Sequence, residues 1–311
     1  MIIGSSLSFS SATPTVVALG CFDGVHLGHT AVIQAAKAQA LLQGCLCAVW
    51  TFEEPPKNYF FPNSVSLITT RQAKEERLRQ LGVDLLACVP FDQSVASMSA
   101  ETFFENILLS QMQASHLVCG YNYTFGAKGA GDVSLLQALC DAHGIGLTVL
   151  PPVTVGGVSV SSSAIRSAME DGRPEDAAAL LGRPYSLTAP VVDGQKLARA
   201  LGFPTLNQIF PHGALIPKAG VYATRVTLPN ATRSYGGISN VGIRPTVTDH
   251  TLCCETHLFD FSGDLYQVPV TVEFLSFLRP ERKFASLEAM SEQIRKDMDT
   301  VRVYLNEHEI L

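Results

Sequence analysis

Two histidines in a glycine-rich turn give the sequence its clearest chemical signal. His26 and His29 end the stretch Gly20–His29 (GCFDGVHLGH), which lies between a β-rich run and a helical pattern. Glycines let the backbone approach a ligand closely, and the first turn of a helix offers an anion free N–H groups and a positive dipole end. Residues three apart share a helix face, so both imidazoles can reach the same phosphates and stabilise the charge that develops during transfer.

The same turn could also be a packing feature, because a lone histidine near a strand end is commonly a surface or packing residue. It is not a Walker A loop, since neither Gly-Lys-Ser nor Gly-Lys-Thr follows it. The pattern resembles the HxGH signature of nucleotidylyltransferases, enzymes that transfer a nucleoside monophosphate from ATP or CTP. The resemblance implies that five more residues of the turn bind the nucleotide: Gly20, Phe22, Asp23, Gly24 and Gly28.

Two further stretches of the first half carry groups that suit a phosphate. Gly120–Gly126 (GYNYTFG) comes directly after a strand-like run and is followed by Gly131-Asp132, and Val160–Arg166 (VSSSAIR) opens a helical pattern. Serines at a helix start ordinarily act as caps. Together with Arg166 on the first turns, they also offer hydroxyls and a guanidinium group to a triphosphate.

A loop in the second half has the composition of a second phosphate site. Gly194–Asn207 (GQKLARALGFPTLN) combines turn glycines with Pro204, whose fixed φ makes the loop rigid. Thr205 can offer a hydroxyl to Mg²⁺, and Asn207 can bind the metal or a phosphate oxygen. Taken alone, GFPT could equally be an ordinary turn.

Both halves resemble one family, the prokaryotic bifunctional riboflavin kinase/FMN adenylyltransferases. The first half is similar to the family's GxNFxFGxxxxGD and ISSTxIR motifs, and the loop of the second half is similar to the GxxxGRxxGFPTAN signature of riboflavin kinases. Further stretches follow in the family's order: Gly220–Tyr222, Asn240–Thr246, Glu255–Leu258, Leu265-Tyr266, Leu278–Glu281 and Lys283-Phe284. The resemblance covers the chain from about residue 14 to about residue 305.

The resemblance implies an enzyme with two reactions. With ATP and Mg²⁺ it would phosphorylate riboflavin to FMN, and with a second ATP it would adenylylate FMN to FAD and release pyrophosphate. His26 and His29 would stabilise the transition state of the second reaction without forming a covalent intermediate. The expected small-molecule partners are therefore riboflavin, FMN, ATP and FAD.

The resemblance also implies roles for residues outside the turn. Asn122 would contact the nucleotide or flavin phosphate. Three residues would hold the ATP phosphates: Ser162, Ser163 and Arg166. Glu255 is the expected base for the ribityl 5′-hydroxyl, although a carboxylate in a strand is more often a solvated edge charge. Arg279 and Phe284 are expected to help form the flavin site.

The chain departs from the family pattern at several positions. The usual TFxPHP reads Thr51–Pro56 (TFEEPP) and lacks the histidine, and Thr124 stands where Arg is common. Ala189 and Ala198 stand where glycines are common, and Leu206 replaces the small alanine of PTAN. These changes leave two alternatives open, a monofunctional riboflavin kinase with a degenerate first half and a non-catalytic flavin-binding regulatory protein. The retained HxGH, PTLN and ETHL residues favour the bifunctional enzyme.

The elements that position these residues follow two different patterns of secondary structure along the chain. From about residue 15 to about residue 152, β-rich runs alternate with helical patterns, which predicts a parallel sheet with helices on both faces, a Rossmann-like α/β fold. After a helical passage at 162–181, short β-rich runs punctuated by Gly and Pro predict a small antiparallel β-barrel. A terminal helix is predicted from about Leu287 to Tyr304, with Ser286 as its N-cap. The boundary between an adenylyltransferase domain, 1–184, and a kinase domain, 185–311, is predicted near residue 184.

Composition limits the class of protein. Of 311 residues, 47% are hydrophobic and 16% are charged, which is a globular composition. The net charge of −6 argues against a nucleic-acid partner, and no run approaches a membrane span or a secretory signal. The eight cysteines form no CxxC pair, so we expect buried reduced thiols in a soluble cytoplasmic protein. The sequence predicts no particular oligomeric state.

Overall fold

The chain divides into two compact units, Met1–Ser162 and Ser163–Leu311. The structure, a computed structural model, describes residues 1–194, 202–229, 231, 233–245 and 250–310. The helices at 162–181 are grouped with the second unit. The domain boundary expected near residue 184 stays a prediction.

The first unit alternates strands and helices, as its sequence predicts. In chain order its elements are β1 (Ile2–Gly4), β2 (Thr15–Leu19), α1 (Leu27–Gln43), β3 (Leu46–Phe52), α2 (Pro56–Phe60), α3 (Arg71–Gln80), β4 (Leu85–Val89), α4 (Gln93–Ala96), α5 (Ala100–Thr102), β5 (Ala114–Gly120), α6 (Val133–His143), β6 (Gly146–Leu150), β7 (Thr154–Val155) and β8 (Val158–Ser159). The last two strands form a small separate hairpin.

The six-stranded sheet of the first unit is parallel throughout and has the order β1-β4-β3-β2-β5-β6. Strand β2 (TVVAL) is buried along its whole length, which suits a central strand with both faces covered. Val17 and Leu19 belong to one apolar core, and Val16 and Ala18 belong to a second core on the opposite face. The Rossmann-like fold is therefore confirmed.

The strand order creates a crevice beside β2. From β2 the chain continues to β3 on one side, while β5 on the other side leads to β6. The direction of winding therefore reverses between β2 and β5, and ligands of open α/β sheets bind at the carboxyl ends of such strands. The glycine-rich turn follows β2, and the Gly120–Gly131 segment follows β5, so both predicted phosphate stretches meet at this crevice.

Two features of this unit differ from the sequence prediction. One of the helical patterns is α-helical only in α5, and it continues as a π-helix over Phe103–Gln111. The Met112 N–H donates to the Ile107 carbonyl, five residues back, at 2.8 Å. This wider helix buries two pairs of large apolar side chains against the sheet: Phe103, Phe104, Ile107 and Leu108. Strand β1 has no sequence signal because it is a short edge strand with exposed isoleucines.

The second unit contains helices followed by an antiparallel sheet. Its elements are α7 (Ser162–Glu170), α8 (Pro174–Leu181), β9 (Tyr185–Pro190), β10 (Leu206–Ile209), β11 (Gly220–Thr227), β12 (Ser234–Pro245), β13 (His250–Leu258), β14 (Pro269–Arg279) and α9 (Leu287–Glu307). The strand order is β10-β13-β12-β11-β14-β9. The Val192 N–H donates to the Asn207 carbonyl at 2.8 Å, which joins the two edges and nearly closes the predicted barrel.

The terminal helix α9 covers one face of this barrel. Its predicted cap is confirmed, because the Ser286 hydroxyl accepts a hydrogen bond from the Ala289 N–H at 3.2 Å. Val301 and Leu305 are fully buried, in a cluster that includes Val221 of β11 and Ile238 of β12. Helix α9 therefore lies over the side of the sheet that carries the polar residues of the kinase signature.

Candidate active sites

The turn after β2 is strained and anchored. Phe22 and Val25 have φ values of 51° and 41°, a left-handed region that non-glycine residues rarely occupy, and Gly24 has a φ of 80°. The buried Asp23 carboxylate accepts hydrogen bonds from the Ile68 and Thr69 N–H groups at 3.1–3.2 Å. Strained backbone of this kind persists only where the surroundings fix it, and it clusters at functional sites.

His26 caps α1 and stacks on His29, so the structure brings the two imidazoles together. The His26 Nδ1 accepts a hydrogen bond from the His29 N–H at 3.1 Å, which leaves the proton of the neutral ring on Nε2. The two ring centroids are 3.6 Å apart with an interplanar angle of 11°. A Cβ on Gly28 would lie 3.1 Å from the His26 Cε1, so a glycine leaves room for this ring.

His29 is held in its neutral form. Burial is the main cause that lowers its pKa well below the ordinary value, and the nearby His26 and Lys74 act in the same direction. Its Nδ1 is buried and has no hydrogen-bond partner among the described residues. A neutral imidazole with an open nitrogen can donate to or accept from a ligand.

Lys74 is a buried cation that the sequence analysis did not single out. Its ammonium group donates to the Phe52 carbonyl at 2.6 Å and to the Glu53 carbonyl at 3.2 Å, at the carboxyl end of β3. The charged helical run around it gave no sign of burial, yet only 3% of Lys74 is exposed. Lys74 therefore fixes the TFEEPP stretch beside the histidines.

These residues open into a cleft of about 680 Å³ at the crevice between β2 and β5. Of the residues predicted for the adenylyltransferase reaction, seven line it: Gly20, Phe22, His26, Gly28, His29, Asn122 and Ser162. Aromatic side chains form much of the remaining wall: Trp50, Phe52, Phe60, Phe91, Phe103, Tyr121, Tyr123 and Phe125. The cleft thus combines phosphate-type donors with surfaces on which a planar ring can stack.

Two predicted residues of the glycine-rich turn do not line the cleft. Asp23 and Gly24 lie in the turn and hold it against the Ile68-Thr69 segment, where Gly24 N–H donates to Thr69 Oγ1 at 3.1 Å. The Ser162 hydroxyl, although at the cleft, donates to the Asp23 carbonyl at 3.0 Å. Ser163 and Arg166 belong to the second unit, and their contact with ATP stays a prediction.

The altered TFEEPP stretch still contributes to the cleft. Pro55 stands at the position of the family's histidine and is the N-cap residue of α2, whose Pro56 and Phe60 line the cleft. The Glu53 carboxylate pairs with Arg71, which also pairs with Glu75 at 2.8 Å. The positive charge of Arg71 therefore offsets part of the negative charge of Glu53.

A second polar site lies on the barrel, where strand register lines up three residues of distant sequence. Asn207 pairs with Glu255 across β10 and β13, and Glu255 pairs with Asn240 across β13 and β12. The row continues through Val221 to Arg279. Cross-strand partners point to the same face of a sheet, so these side chains share one surface.

This surface forms a pocket of about 350 Å³ with the residues of α9. All five residues predicted for the kinase reaction and its flavin site line it: Thr205, Asn207, Glu255, Arg279 and Phe284. From α9 it is lined by Met290, Ile294 and Asp297. The structure therefore gathers the kinase residues at one place.

Asn207 is buried with its Oδ1 unpartnered among the described residues. A Cβ on Gly194 would lie 2.3 Å from the Asn207 Nδ2, so this glycine lets the backbone pass close to the amide. The His257 Nδ1–H donates to the Pro204 carbonyl at 2.8 Å and fixes the residue that precedes Thr205. An unpartnered buried oxygen two residues from the hydroxyl of Thr205 suits a hard cation or a phosphate-bound ligand.

Arg279 is engaged by α9. Its guanidinium donates to both carboxylate oxygens of the buried Asp297, at 2.6 Å from Nη2 to Oδ2 and at 3.0–3.2 Å from Nε. Asp297 was missed at the sequence level, because a helix aspartate has no distinctive signal. Asn240 opens one of the stretches that resemble the family, but no role was predicted for it. Asn240 donates to the Glu281 carboxylate at 2.9 Å and so holds the segment that follows β14.

Part of the kinase signature cannot be placed. Residues 195–201, including Ala198, and Thr246 lie outside the described residues. Asn230 and Thr232, between β11 and β12, lie outside them as well.

Comparison with known proteins agrees with this geometry. Two family models match the chain in order, FAD synthetase over residues 8–164 and riboflavin kinase over residues 181–305. The bifunctional riboflavin kinase/FMN adenylyltransferase of Pseudomonas fluorescens is 37% identical over 290 residues, covering 92% of each chain. The protein of the same name from Listeria monocytogenes is 35% identical over 292 residues, covering 93% of this chain and 92% of its own.

One solved structure is similar over nearly the whole chain. A protein from Streptococcus pneumoniae called a macrolide-efflux protein has a TM-score of 0.88 and 30% identity, and the match covers 97% of this chain and 98% of that one. Among the described residues of this chain, no helix has the length and apolar character needed to cross a membrane. Since both family models and both relatives cover the two units and their polar sites, the chain belongs to the bifunctional riboflavin kinase/FMN adenylyltransferase family, enzymes of flavin cofactor biosynthesis.

Proposed function

We propose that the chain makes FAD from riboflavin in two ATP-dependent steps, one in each unit. The supporting observation is that each unit has its own polar pocket and that each pocket collects residues predicted for one reaction. The first step takes place on the barrel and the second in the crevice between β2 and β5.

In the kinase step, the Glu255 carboxylate takes the proton of the ribityl 5′-hydroxyl while that oxygen attacks the γ-phosphorus of ATP. The bond from the γ-phosphorus to the bridging oxygen breaks, and ADP leaves with the electron pair. Glu255 is half-buried and lies beside Asn207 in register, so the base and the phosphate-binding amide face one space. The protein needs to supply little more than position and one base for such a transfer.

The residues of this pocket fit Mg²⁺. The Thr205 hydroxyl and the unpartnered Asn207 Oδ1 are hard oxygen donors, and Mg²⁺ in kinases is typically completed by substrate phosphates and water. When bound, the ion supplies positive charge to the ATP phosphates. Thr205 and Asn207 would hold it, and Gly194 and His257 keep these two residues in place.

In the adenylyltransferase step, a phosphate oxygen of FMN attacks the α-phosphorus of ATP, and pyrophosphate leaves. His26, whose Nε2 carries the proton, and the neutral His29 donate hydrogen bonds to the charge that develops on the phosphates. The N–H groups at the start of α1 add to this stabilisation. No residue needs to form a covalent intermediate.

We also propose that the enzyme works in the cytoplasm. All eight cysteines are free, and six of them are buried. Reduced thiols of this kind are typical of proteins from a reducing compartment.

A product analysis tests the two-site assignment. Incubated with riboflavin, ATP and Mg²⁺, the protein should form FAD by way of FMN, measured by chromatographic separation of the flavins. His29→Ala should stop at FMN, with FAD formation slowed at least about a hundredfold. Glu255→Gln should form no FMN from riboflavin but should convert supplied FMN to FAD.

The variants serve as controls for each other, because each leaves one reaction intact. FMN that accumulates in the wild type without FAD would support a monofunctional kinase instead. A protein that binds flavin and consumes no ATP would support the regulatory alternative. Equal damage to both reactions by both substitutions would contradict the two-site assignment.

A further inference from the structure

The adenylyltransferase cleft carries very little positive charge for the ligands it must bind. Of the described residues that line it, Lys128 is the only lysine or arginine, and none is an aspartate or glutamate. His29 is neutral, and the His26 Nδ1 accepts the helix-cap hydrogen bond, so this nitrogen carries no proton. FMN and ATP both bring phosphate groups with a net negative charge near neutral pH. Lys128 therefore contributes the one fixed cation of the described cleft wall.

The loop that carries Lys128 is held in one conformation. Phe125 and Gly131 exchange backbone hydrogen bonds of 3.0 and 2.9 Å, which close the loop at its base. The Ala127 N–H donates to the Met98 carbonyl at 2.7 Å. A Cβ on Gly126 would lie 2.7 Å from the Ala100 Cα, so the loop packs directly on the start of α5.

Lys128 itself has an unfavourable backbone conformation. Its φ of 56° lies in the left-handed region, between Gly126 at 75° and Gly129 at 66°. This conformation costs free energy for a lysine, whereas glycine adopts it freely. A non-glycine residue held there by its surroundings points to a use for its side chain.

The position of Lys128 separates it from the nucleotide-binding turn. The histidines and the start of α1 follow β2, whereas Lys128 follows β5 on the other wall of the crevice. The same segment supplies Asn122 and the aromatic side chains of Tyr123 and Phe125 to the cleft. An aromatic wall with one cation suits a phosphate attached to a planar ring system.

We infer that Lys128 binds the 5′-phosphate of FMN and holds this nucleophile opposite the α-phosphate of ATP. This inference rests on the proposed adenylyltransferase function of the first unit. The ammonium group acts as a point charge on a rigid loop, so it orders the phosphate without taking part in bond making. Lys128 is thus a substrate-binding residue that the sequence motifs did not indicate.

Steady-state kinetics of FAD formation from FMN test the inference, with FMN and ATP varied in turn. In Lys128→Gly the charge is removed while the left-handed backbone becomes favourable, so the fold is not weakened. The KM for FMN should rise about tenfold or more, as for the loss of one charge-assisted hydrogen bond, and the KM for ATP should stay unchanged. Lys128→Arg should retain most of the affinity for FMN.

Two comparisons make the result specific. Lys57→Ala removes an exposed lysine from α2, next to cleft-lining Pro56 but outside the lining, and should leave both KM values unchanged. Riboflavin phosphorylation by the same Lys128→Gly chain should match that of the wild type. A KM for FMN that stays unchanged, or a rise confined to ATP, would overturn the inference. Absence of FAD in the wild type would instead contradict the proposed function itself.

Discussion

The stacked pair of His26 and His29 shows how a short motif sets the chemistry of single residues. One backbone N–H fixes the tautomer of His26, and burial keeps His29 uncharged. Two imidazolium ions at a centroid distance of 3.6 Å would repel each other, and the positive end of the α1 dipole would add to that repulsion. In the proposed reaction, the pair therefore donates hydrogen bonds to phosphate charge and does not store protons.

The depressed pKa of His29 predicts a pH dependence of stability. Below about pH 6.5 a histidine in the unfolded chain takes up a proton, whereas the folded His29 does not. The unfolded state then binds more protons, so stability should fall as the pH falls from about 6.5 toward the lower pKa of the folded protein. Urea unfolding should show a loss between about pH 7.5 and about pH 5.5 that is smaller in His29→Asn.

His116 provides the comparison for this prediction. Burial lowers its pKa too, so His116→Asn should also reduce the loss of stability in acid. A His29→Asn chain that loses as much stability in acid as the wild type would contradict a neutral His29.

At the scale of elements, strand register and helix packing bring together residues that no single sequence motif connects. Asn207, Glu255 and Asn240 come from three stretches of sequence, and only antiparallel pairing places them in one row. Helix α9 then covers this row and contributes Asp297 to the pocket. The Arg279–Asp297 pair joins the end of β14 to the middle of the helix.

We predict that Asp297→Asn weakens the docking of α9. Arg279 would keep its charge in a largely buried place without a counter-charge, which should cost about 2 kcal/mol of the free energy of unfolding of the second unit. Riboflavin phosphorylation should be lost at lower urea concentrations than in the wild type. FAD formation from supplied FMN should keep its wild-type urea dependence, because the first unit is untouched.

A matched control lies one residue away on the same helix. Lys296 forms an ion pair with Glu292, and their side chains are 64% and 67% exposed, respectively. Lys296→Gln should therefore change stability by less than about 0.5 kcal/mol. Equal effects of the two substitutions would show that Asp297 does not anchor the helix.

The sequence predicted most elements and most motif residues of both sites, because strand–helix alternation, glycine-rich turns and caps are local signals. It did not show the buried ammonium of Lys74, since α3 reads as a solvated charged helix. It missed Asp297 and the edge strand β1 for a similar reason, as their roles depend on what packs against them. The π-helix at Phe103–Gln111 follows from tertiary packing of its large apolar side chains and has no pattern of its own.

At the scale of the whole molecule, each of the two units has its own apolar core and its own pocket. The first unit has its own apolar cores on both faces of the parallel sheet, and the second has a separate core beneath α9. Each unit also contains a pocket whose described lining residues come from that unit alone. Under the proposed two-site function, FMN is the product of one pocket and the substrate of the other, so we expect it to be exchanged between chains.

This independence predicts that two damaged chains restore the full reaction when mixed. Glu255→Gln alone should leave riboflavin unchanged, and His29→Ala alone should stop at FMN. In a mixture, FMN released by the His29→Ala chain should be converted to FAD by the intact first unit of the Glu255→Gln chain, after a lag while FMN accumulates. Chromatography of the flavins over time measures both the lag and the final yield. Added FMN should abolish the lag, which serves as the control. A mixture that makes FMN but no FAD, although the Glu255→Gln chain uses added FMN, would show that the intermediate does not leave the chain that formed it.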